Sequence, residues 1–128
     1  MAGVSKGAAG EILAARFLRE KGWTILCANY RTRFGEIDII GQDGPYIAFV
    51  EVKARGQAAL YAPREAVTPS KQRRIIQAAA LYLQQHPTAL QPRFDVVAIT
   101  TAPDAPLQAL HIEHIPHAFE AGELRSAF

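Results

Sequence analysis

Four charged residues stand out in the two apolar runs that flank the turn of residues 35–55, whose sequence is GEIDIIGQDGPYIAFVEVKAR. They are Glu36, Asp38, Glu51 and Lys53. Two runs rich in β-branched and aromatic residues flank an Asp-Gly pair, a pattern that predicts a β-hairpin. Because side chains alternate between the two faces of a strand, all four charged groups should lie on one face. We therefore expect three carboxylates and one ammonium group to converge beside an apolar sheet.

A turn at residues 43–44 sets the pairing of the two strands. It places Glu36 opposite Glu51, and Asp38 opposite Phe49. Asp38 is then diagonal to Glu51 and within reach of it. The opposite face of the hairpin is wholly apolar and should be core; it carries Ile37, Ile39, Ala48, Val50 and Val52.

Such a cluster of carboxylates needs compensation. Two unit charges about 4 Å apart repel by roughly 4 kcal/mol at an effective dielectric constant near 20. Either one carboxyl group is protonated or a cation lies among them. Hard oxygen ligands suit Mg²⁺, Mn²⁺ or Ca²⁺. The alternative is a solvated rim with a Glu–Lys pair, and Glu36 is the residue for which that alternative is strongest.

Composition limits the class of protein. The chain has 128 residues, of which 49% are hydrophobic and 20% charged, so we expect a single globular domain over residues 1–128. Cys27 is the only cysteine, which excludes an internal disulfide. No apolar run approaches the roughly 20 residues of a membrane span, and the first residues lack a signal-peptide pattern. A cytoplasmic protein with no membrane association is therefore expected.

Basic residues are concentrated in the segment that follows the hairpin. Residues 53–74 contain six of them against the single acidic residue Glu65, a net charge of +5. Since the whole chain carries +2, the remaining residues sum to −3. An oriented anionic partner such as nucleic acid would explain this asymmetry, and the alternative is a solvated helix face.

The predicted elements come in the order α, β, β, β, α, β, β. The second helix begins at Pro69, with Thr68 as its N-cap, and ends at Pro87. The first helix covers residues 5–21, and the strands cover residues 23–30, 35–41, 46–54, 93–101 and, more briefly, 109–115. Residues 116–128 should form a short helix or a loosely packed tail. A strand–helix–strand crossover after the hairpin predicts an α/β sandwich with a mixed sheet of about five strands.

Together these segments resemble a known family. GEID at residues 35–38, followed by FVEVKAR at residues 49–55, is similar to the YraN family of small bacterial proteins. GxxGE at residues 7–11, AVTPSKQRRI at residues 66–75 and RFDVV at residues 93–97 extend the similarity over most of the chain. The family looks like a branch of the PD-(D/E)xK nucleases, which include restriction endonucleases and archaeal Holliday-junction resolvases. The resemblance implies a restriction-endonuclease-like three-layer sandwich and a Mg²⁺- or Mn²⁺-dependent endonuclease acting on DNA, including branched or single-stranded forms. The resolvases further imply a two-fold homodimer.

The resemblance also assigns residues. Asp38 matches the first metal-binding aspartate of the superfamily, Glu51 its (D/E) position and Lys53 its lysine, while the Val52 carbonyl would be a further metal ligand. Glu11 matches a helix-one glutamate that resolvase-like members add to the metal site. Gln72 is a weaker match to a glutamine or lysine of the second helix. The phosphate backbone would contact Arg55, Arg64, Lys71, Arg73 and Arg74 together with Gln72.

One segment departs from the pattern: relatives usually carry Phe-Gly in the loop where this chain has LYAP, at residues 60–63. The substrate role of that loop is therefore open. Two other functions compete with catalysis. One is a nucleic-acid-binding module that kept the fold and lost the activity, and the other is an adaptor for a protein partner.

Overall fold

A five-stranded mixed sheet forms the centre of the protein in a computed structural model that describes residues 6–56 and 67–122. The strands lie side by side in the order of the sequence. They are β1 (Thr24–Arg31), β2 (Glu36–Asp43), β3 (Tyr46–Arg55), β4 (Gln91–Ala102) and β5 (Ala105–Phe119), and the helices are α1 (Lys6–Glu20) and α2 (Pro69–Gln85). Among the strands of the described ranges, β3 and β4 alone run parallel, because α2 crosses between them. The predicted element order and mixed sheet are confirmed.

The two helices cover opposite faces of the sheet, which confirms the predicted three-layer α/β sandwich. On the α2 face, Ile40, Ile47, Phe49 and Phe94 pack against Ile75 and Ala79 of the helix. On the α1 face, Ile39, Ala48, Val50 and Val97 pack against Leu13 and Leu18. The hairpin β2–β3 is therefore buried on both sides, as its apolar pattern predicted.

The hairpin register differs from the prediction by two residues. Asp43 pairs with Tyr46, so the turn consists of Gly44 and Pro45 rather than Asp43 and Gly44. Gly44 has φ +57°, a left-handed conformation that glycine adopts without steric cost. Pro45 lacks a backbone N–H, and a turn position requires none for the strand pairing. A shift of two residues is one full side-chain period, so the shift alone moves no side chain to the other face of the sheet. What changes is the distance between carboxylates, because continuing the register brings Asp38 directly beside Glu51.

One predicted face assignment is wrong. Ile37 was expected to share the core of Ile39, but it lies in the core under α2. Its partner across the strands is Tyr30, whose ring packs edge-on against Tyr82 of α2 at 5.2 Å. Asn29, one residue before Tyr30 on β1, has φ +54°, so a left-handed residue lies beside this change of face.

The last strand is longer than predicted. β5 reaches Phe119, so residues 116–119 are strand and not a loose tail. Register shifts along the β4–β5 ladder let the strand continue past Pro116, and the Phe119 ring then stacks on Phe94 at 5.1 Å. Residues 123–128 of the predicted tail lie outside the described residues.

A buried charged network ties β4 to β5 and to the turn end of the hairpin. Asp95 is fully buried and accepts two hydrogen bonds from the Arg93 guanidinium, at 2.9 and 2.8 Å, and shares a third with His114 at 2.8 Å. Arg93 also reaches Asp43 at 2.9 Å. Burial opposes ionisation of Asp95, but the hydrogen bonds from these partners hold its pKa below the ordinary value. The network therefore links β4 to β5 and to the turn of the hairpin, and Asp95 itself pairs with Val50, next to Glu51.

None of the helices in the described ranges is long and apolar enough to cross a membrane.

Gly10 allows α1 to lie unusually close to β3. A Cβ atom at this position would come within 2.7 Å of the Ala54 Cβ and 3.6 Å of a Val52 methyl group. Backbone-to-strand contact at this point also fixes where the next residue, Glu11, meets the end of the sheet. The second glycine of the GxxGE motif is thus a packing requirement.

We predict that Gly10→Ala lowers the free energy of unfolding by about 1–3 kcal/mol, since overpacking here exceeds the gain in helix propensity. Gly7→Ala is the matched control, because a Cβ on Gly7 meets no atom within 4 Å. It should leave stability unchanged or raise it. Urea denaturation measures both variants, and equal stability of the two would contradict the proposed close packing.

Candidate metal centre and nucleic-acid surface

Asp38 lies where β2 and β3 begin to separate. The regular pairs of the two strands run from Asp43 and Tyr46 to Ile39 and Val50. At the next step, a side-chain oxygen of Asp38 accepts a hydrogen bond of 2.8 Å from the Val52 N–H. The carboxylate thus replaces a backbone acceptor and is held against β3. The sheet therefore fixes the position of the Asp38 carboxylate through this backbone hydrogen bond.

Glu51 is the most buried carboxylate of the cluster, with 8% of its side chain exposed. Lys71 of α2 forms an ion pair with it, Nζ to Oε1, at 3.4 Å. Burial, and then the charge of Asp38, raise the pKa of Glu51 to about 7, although Lys71 and Lys53 oppose the shift. Burial also raises the pKa of Asp38, and Glu36 adds to that effect. The hydrogen bond from the Val52 N–H, and more weakly a side-chain hydrogen bond with Glu51, oppose the rise in the Asp38 pKa.

Lys53 follows Glu51 by two residues on β3, is half-buried, and is paired with Ala98 of β4. Its positive charge helps to lower the pKa of Glu51. The structure therefore brings Asp38, Glu51 and Lys53 to the same end of one strand pair, as the pattern predicted.

Glu11 joins this group from the other face of the sheet. It is half-buried near the start of α1, and burial and the charge of Asp38 raise its pKa. A side-chain hydrogen bond with Asn29 opposes that shift. Asn29 was not among the predicted residues. Its signal in the sequence was only an asparagine within a strand, where a left-handed backbone favours that residue.

Glu36 lies at the rim. It is exposed and pairs with Arg31 at 3.6 Å, and the Arg31 side chain is 78% and the Glu36 side chain 42% exposed. Exposed pairs of this kind contribute about 0–1 kcal/mol. Glu36 therefore lies at a solvated rim, as the alternative expectation had it. Its charge still raises the pKa of Asp38 and of Glu11.

The arrangement fits a small divalent cation held by two protein carboxylates. In the described part of the chain, no group of three or more His, Cys, Asp or Glu side chains could hold a metal ion. Mg²⁺, however, is typically bound through one or two carboxylates, with waters and substrate phosphates completing the shell. Asp38 and Glu51 are two such carboxylates. Burial and neighbouring negative charge make it costly to ionise both of them, and a bound cation would lower that cost.

Basic side chains border this end of the sheet. Arg73 and Arg74 are exposed in the first turns of α2, and Arg55 is half-buried at the end of β3. Lys71 contacts Glu51 instead of extending away from the protein. Gln72 donates a hydrogen bond of 2.8 Å to the Val67 carbonyl, so its amide is engaged within the chain. Arg64 and the LYAP loop lie outside the described residues.

Comparisons with known proteins place the chain among related sequences. The model of a family described as "Uncharacterised protein family UPF0102" matches residues 10–99, a stretch that includes Glu11, Asp38, Glu51 and Lys53. A UPF0102 protein of Symbiobacterium thermophilum is 46% identical over 113 residues, covering 88% of this chain and 96% of the relative. A UPF0102 protein of Geobacter sulfurreducens is 47% identical over 116 residues, covering 89% of this chain and 88% of the relative. These matches confirm the family resemblance carried by the motifs.

Stability should depend on pH through Glu51. A carboxyl group whose pKa rises on folding, here from 4.5 to about 7, stabilises the fold fully below pH 4.5. That contribution is lost as the pH rises through 7. In chelator, the free energy of unfolding should therefore fall between pH 5 and pH 8 by about 1–3 kcal/mol.

Chemical denaturation across this range measures the effect, with Glu51→Gln and the exposed Glu20→Gln as a matched pair. Glu51→Gln should remove most of the fall, while Glu20→Gln should retain it. An identical pH dependence in the wild type and Glu51→Gln would show that Glu51 does not titrate near neutrality.

Proposed function

The chain belongs to the UPF0102 family, and from the geometry of its site we propose that it is a divalent-metal-dependent endonuclease acting on DNA. The observation that carries the proposal is the convergence of Asp38 and Glu51, with Lys53 two residues further along β3. Two carboxylates held together away from water favour a divalent cation, Mg²⁺ or Mn²⁺.

Each group has a role that its position supports. Asp38 and Glu51 would hold the cation, with the Val52 carbonyl as a further ligand and Glu11 as a more distant carboxylate. When bound, the metal would lower the pKa of a coordinated water and stabilise charge on the phosphate. Lys53 would orient the attacking water or stabilise the negative charge that develops at phosphorus.

The surface beside the site supports nucleic acid as the partner. Arg55, Lys71, Arg73 and Arg74 lie on β3 and the first turns of α2, the elements that carry or contact Glu51. Basic side chains of this kind contact phosphate groups. Such contacts fix the position of the protein on the duplex without selecting a base sequence. A two-fold homodimer, which the similarity to resolvases implies, would present two such sites to one DNA molecule.

A nucleic-acid-binding module without catalysis is the second candidate. The ion pair between Lys71 and Glu51 favours it, because that pair compensates the buried carboxylate with no metal present. The two candidates differ in one property, metal-dependent cleavage.

Cleavage is tested on linear, single-stranded, flapped and four-way DNA with Mg²⁺ and with Mn²⁺. Asp38→Asn removes one charge and one strong ligand while keeping the side-chain shape. We expect it to abolish nearly all cleavage, yet to bind DNA as well as the wild type or better in chelator, since a carboxylate repels phosphate. Lys53→Ala should weaken both cleavage and metal-free binding.

Glu20→Gln, at the exposed end of α1, serves as the control and should cleave like the wild type. Cleavage that survives Asp38→Asn undiminished would reject this site as its source. A wild type that binds every DNA of the panel and cleaves none would favour the binding module.

DNA binding should weaken steeply with salt because phosphate contacts release counterions, with a slope of about −0.9 per contact on duplex DNA. Replacing Arg73 and Arg74 by alanine should flatten the slope by about 0.9 for each phosphate that these side chains neutralise. Arg16→Ala on α1 is the control for removal of a positive charge elsewhere. Fluorescence anisotropy over a salt series measures the slope, and an unchanged slope in the double variant would move the binding surface away from α2.

A further inference from the structure

We propose that Lys71 is a built-in counter-cation of the candidate metal site, which neutralises Glu51 in the metal-free protein and is displaced when a divalent cation binds. The inference rests on the proposed function, since it takes Asp38 and Glu51 as the metal ligands. It goes further by giving Lys71 a role that sets the metal affinity, in place of a simple phosphate contact.

The ion pair that supports this role joins a buried carboxylate to a lysine that is partly exposed. The Glu51 side chain is 8% exposed, whereas the Lys71 side chain is 45% exposed, and their charged atoms lie 3.4 Å apart. Glu51 is thus fixed within the sheet, while the ammonium group approaches it from the solvent side. A buried carboxylate that lost this partner would be strongly destabilised unless another cation replaced it.

Lys71 is anchored at its backbone, and its ammonium group meets Glu51 from the solvent side. It lies in the first turn of α2, where its N–H donates a hydrogen bond of 3.2 Å to the Thr68 N-cap oxygen. The four-carbon side chain can therefore swing without moving the helix. A divalent cation on Glu51 would repel the ammonium group strongly at such a short distance.

The displaced ammonium would remain tethered beside the site. Because the substrate phosphate would lie next to the bound cation, Lys71 could exchange its carboxylate partner for a phosphate oxygen. The same side chain would then compensate Glu51 before metal binding and contact substrate after it.

A purely structural ion pair predicts a different outcome when the lysine is removed. It would cost stability and would leave the metal affinity unchanged or reduced. A counter-cation competes with the metal, so its removal should increase the metal affinity. The sign of the change therefore separates the two roles.

The experiment is calorimetric titration of the full chain with Mn²⁺ at pH 8, without DNA. Lys71→Met should bind Mn²⁺ about tenfold more tightly than the wild type, because one competing charge is gone. Lys71→Arg, which keeps the charge, and Arg16→Met, which removes a charge from α1, should match the wild type. Circular dichroism of each variant verifies that the chain is folded.

The ways in which this inference can fail are distinguishable. Equal or weaker Mn²⁺ binding by Lys71→Met, with clear binding by the wild type, would overturn the counter-cation role alone. A tenfold gain in both Lys71→Met and Arg16→Met would also overturn it, since the effect would be one of net charge. No Mn²⁺ binding by any folded variant would overturn the proposed function and, with it, this inference.

Discussion

Two carboxyl groups, those of Asp38 and Glu51, are held together at the end of a hairpin whose central residues are core, and the charged groups around them offset their repulsion. The Val52 N–H fixes Asp38, and burial in the sheet fixes Glu51, so neither can move away to relieve the repulsion. Protonation near neutral pH, the ion pair with Lys71 and the charge of Lys53 all offset the same electrostatic cost. Binding a divalent cation is the response that would also do chemistry.

The fold holds this pair in place from both sides. Gly10 lets α1 approach β3 closely, and α2 begins at a Thr68 cap that fixes the backbone of Lys71. The network of Arg93, Asp95 and His114 pairs opposite charges and links β4 to β5 and to the hairpin turn. The regular β2–β3 pairs run from the turn to Ile39 and Val50, and the strands separate beyond them at Asp38. The repulsion between carboxylates is confined to the end of the sheet where function is proposed.

The sequence was most informative where structure depends on local pattern. Alternating residues identified the hairpin and placed Asp38, Glu51 and Lys53 at one end of it, and Thr68–Pro69 predicted the start of α2. The register was wrong by two residues because either of two turns suits an Asp-Gly-Pro segment. Contacts between elements that are distant in the sequence could not be predicted from it. The Lys71–Glu51 pair depends on how a crossover helix docks, and the Asp95–His114 contact depends on register shifts in the β4–β5 ladder.

The proposed chemistry depends on a cation that binds between Asp38 and Glu51. A crystal soaked in Mn²⁺ at pH 8, above the pKa of Glu51, would show the ion directly by its anomalous scattering. We expect one strong peak bonded to an oxygen of each carboxylate, with the Lys71 ammonium moved off Glu51. A map with no peak there, or with Mn²⁺ bound only elsewhere while Lys71 keeps its contact with Glu51, would contradict both the metal site and the role of Lys71.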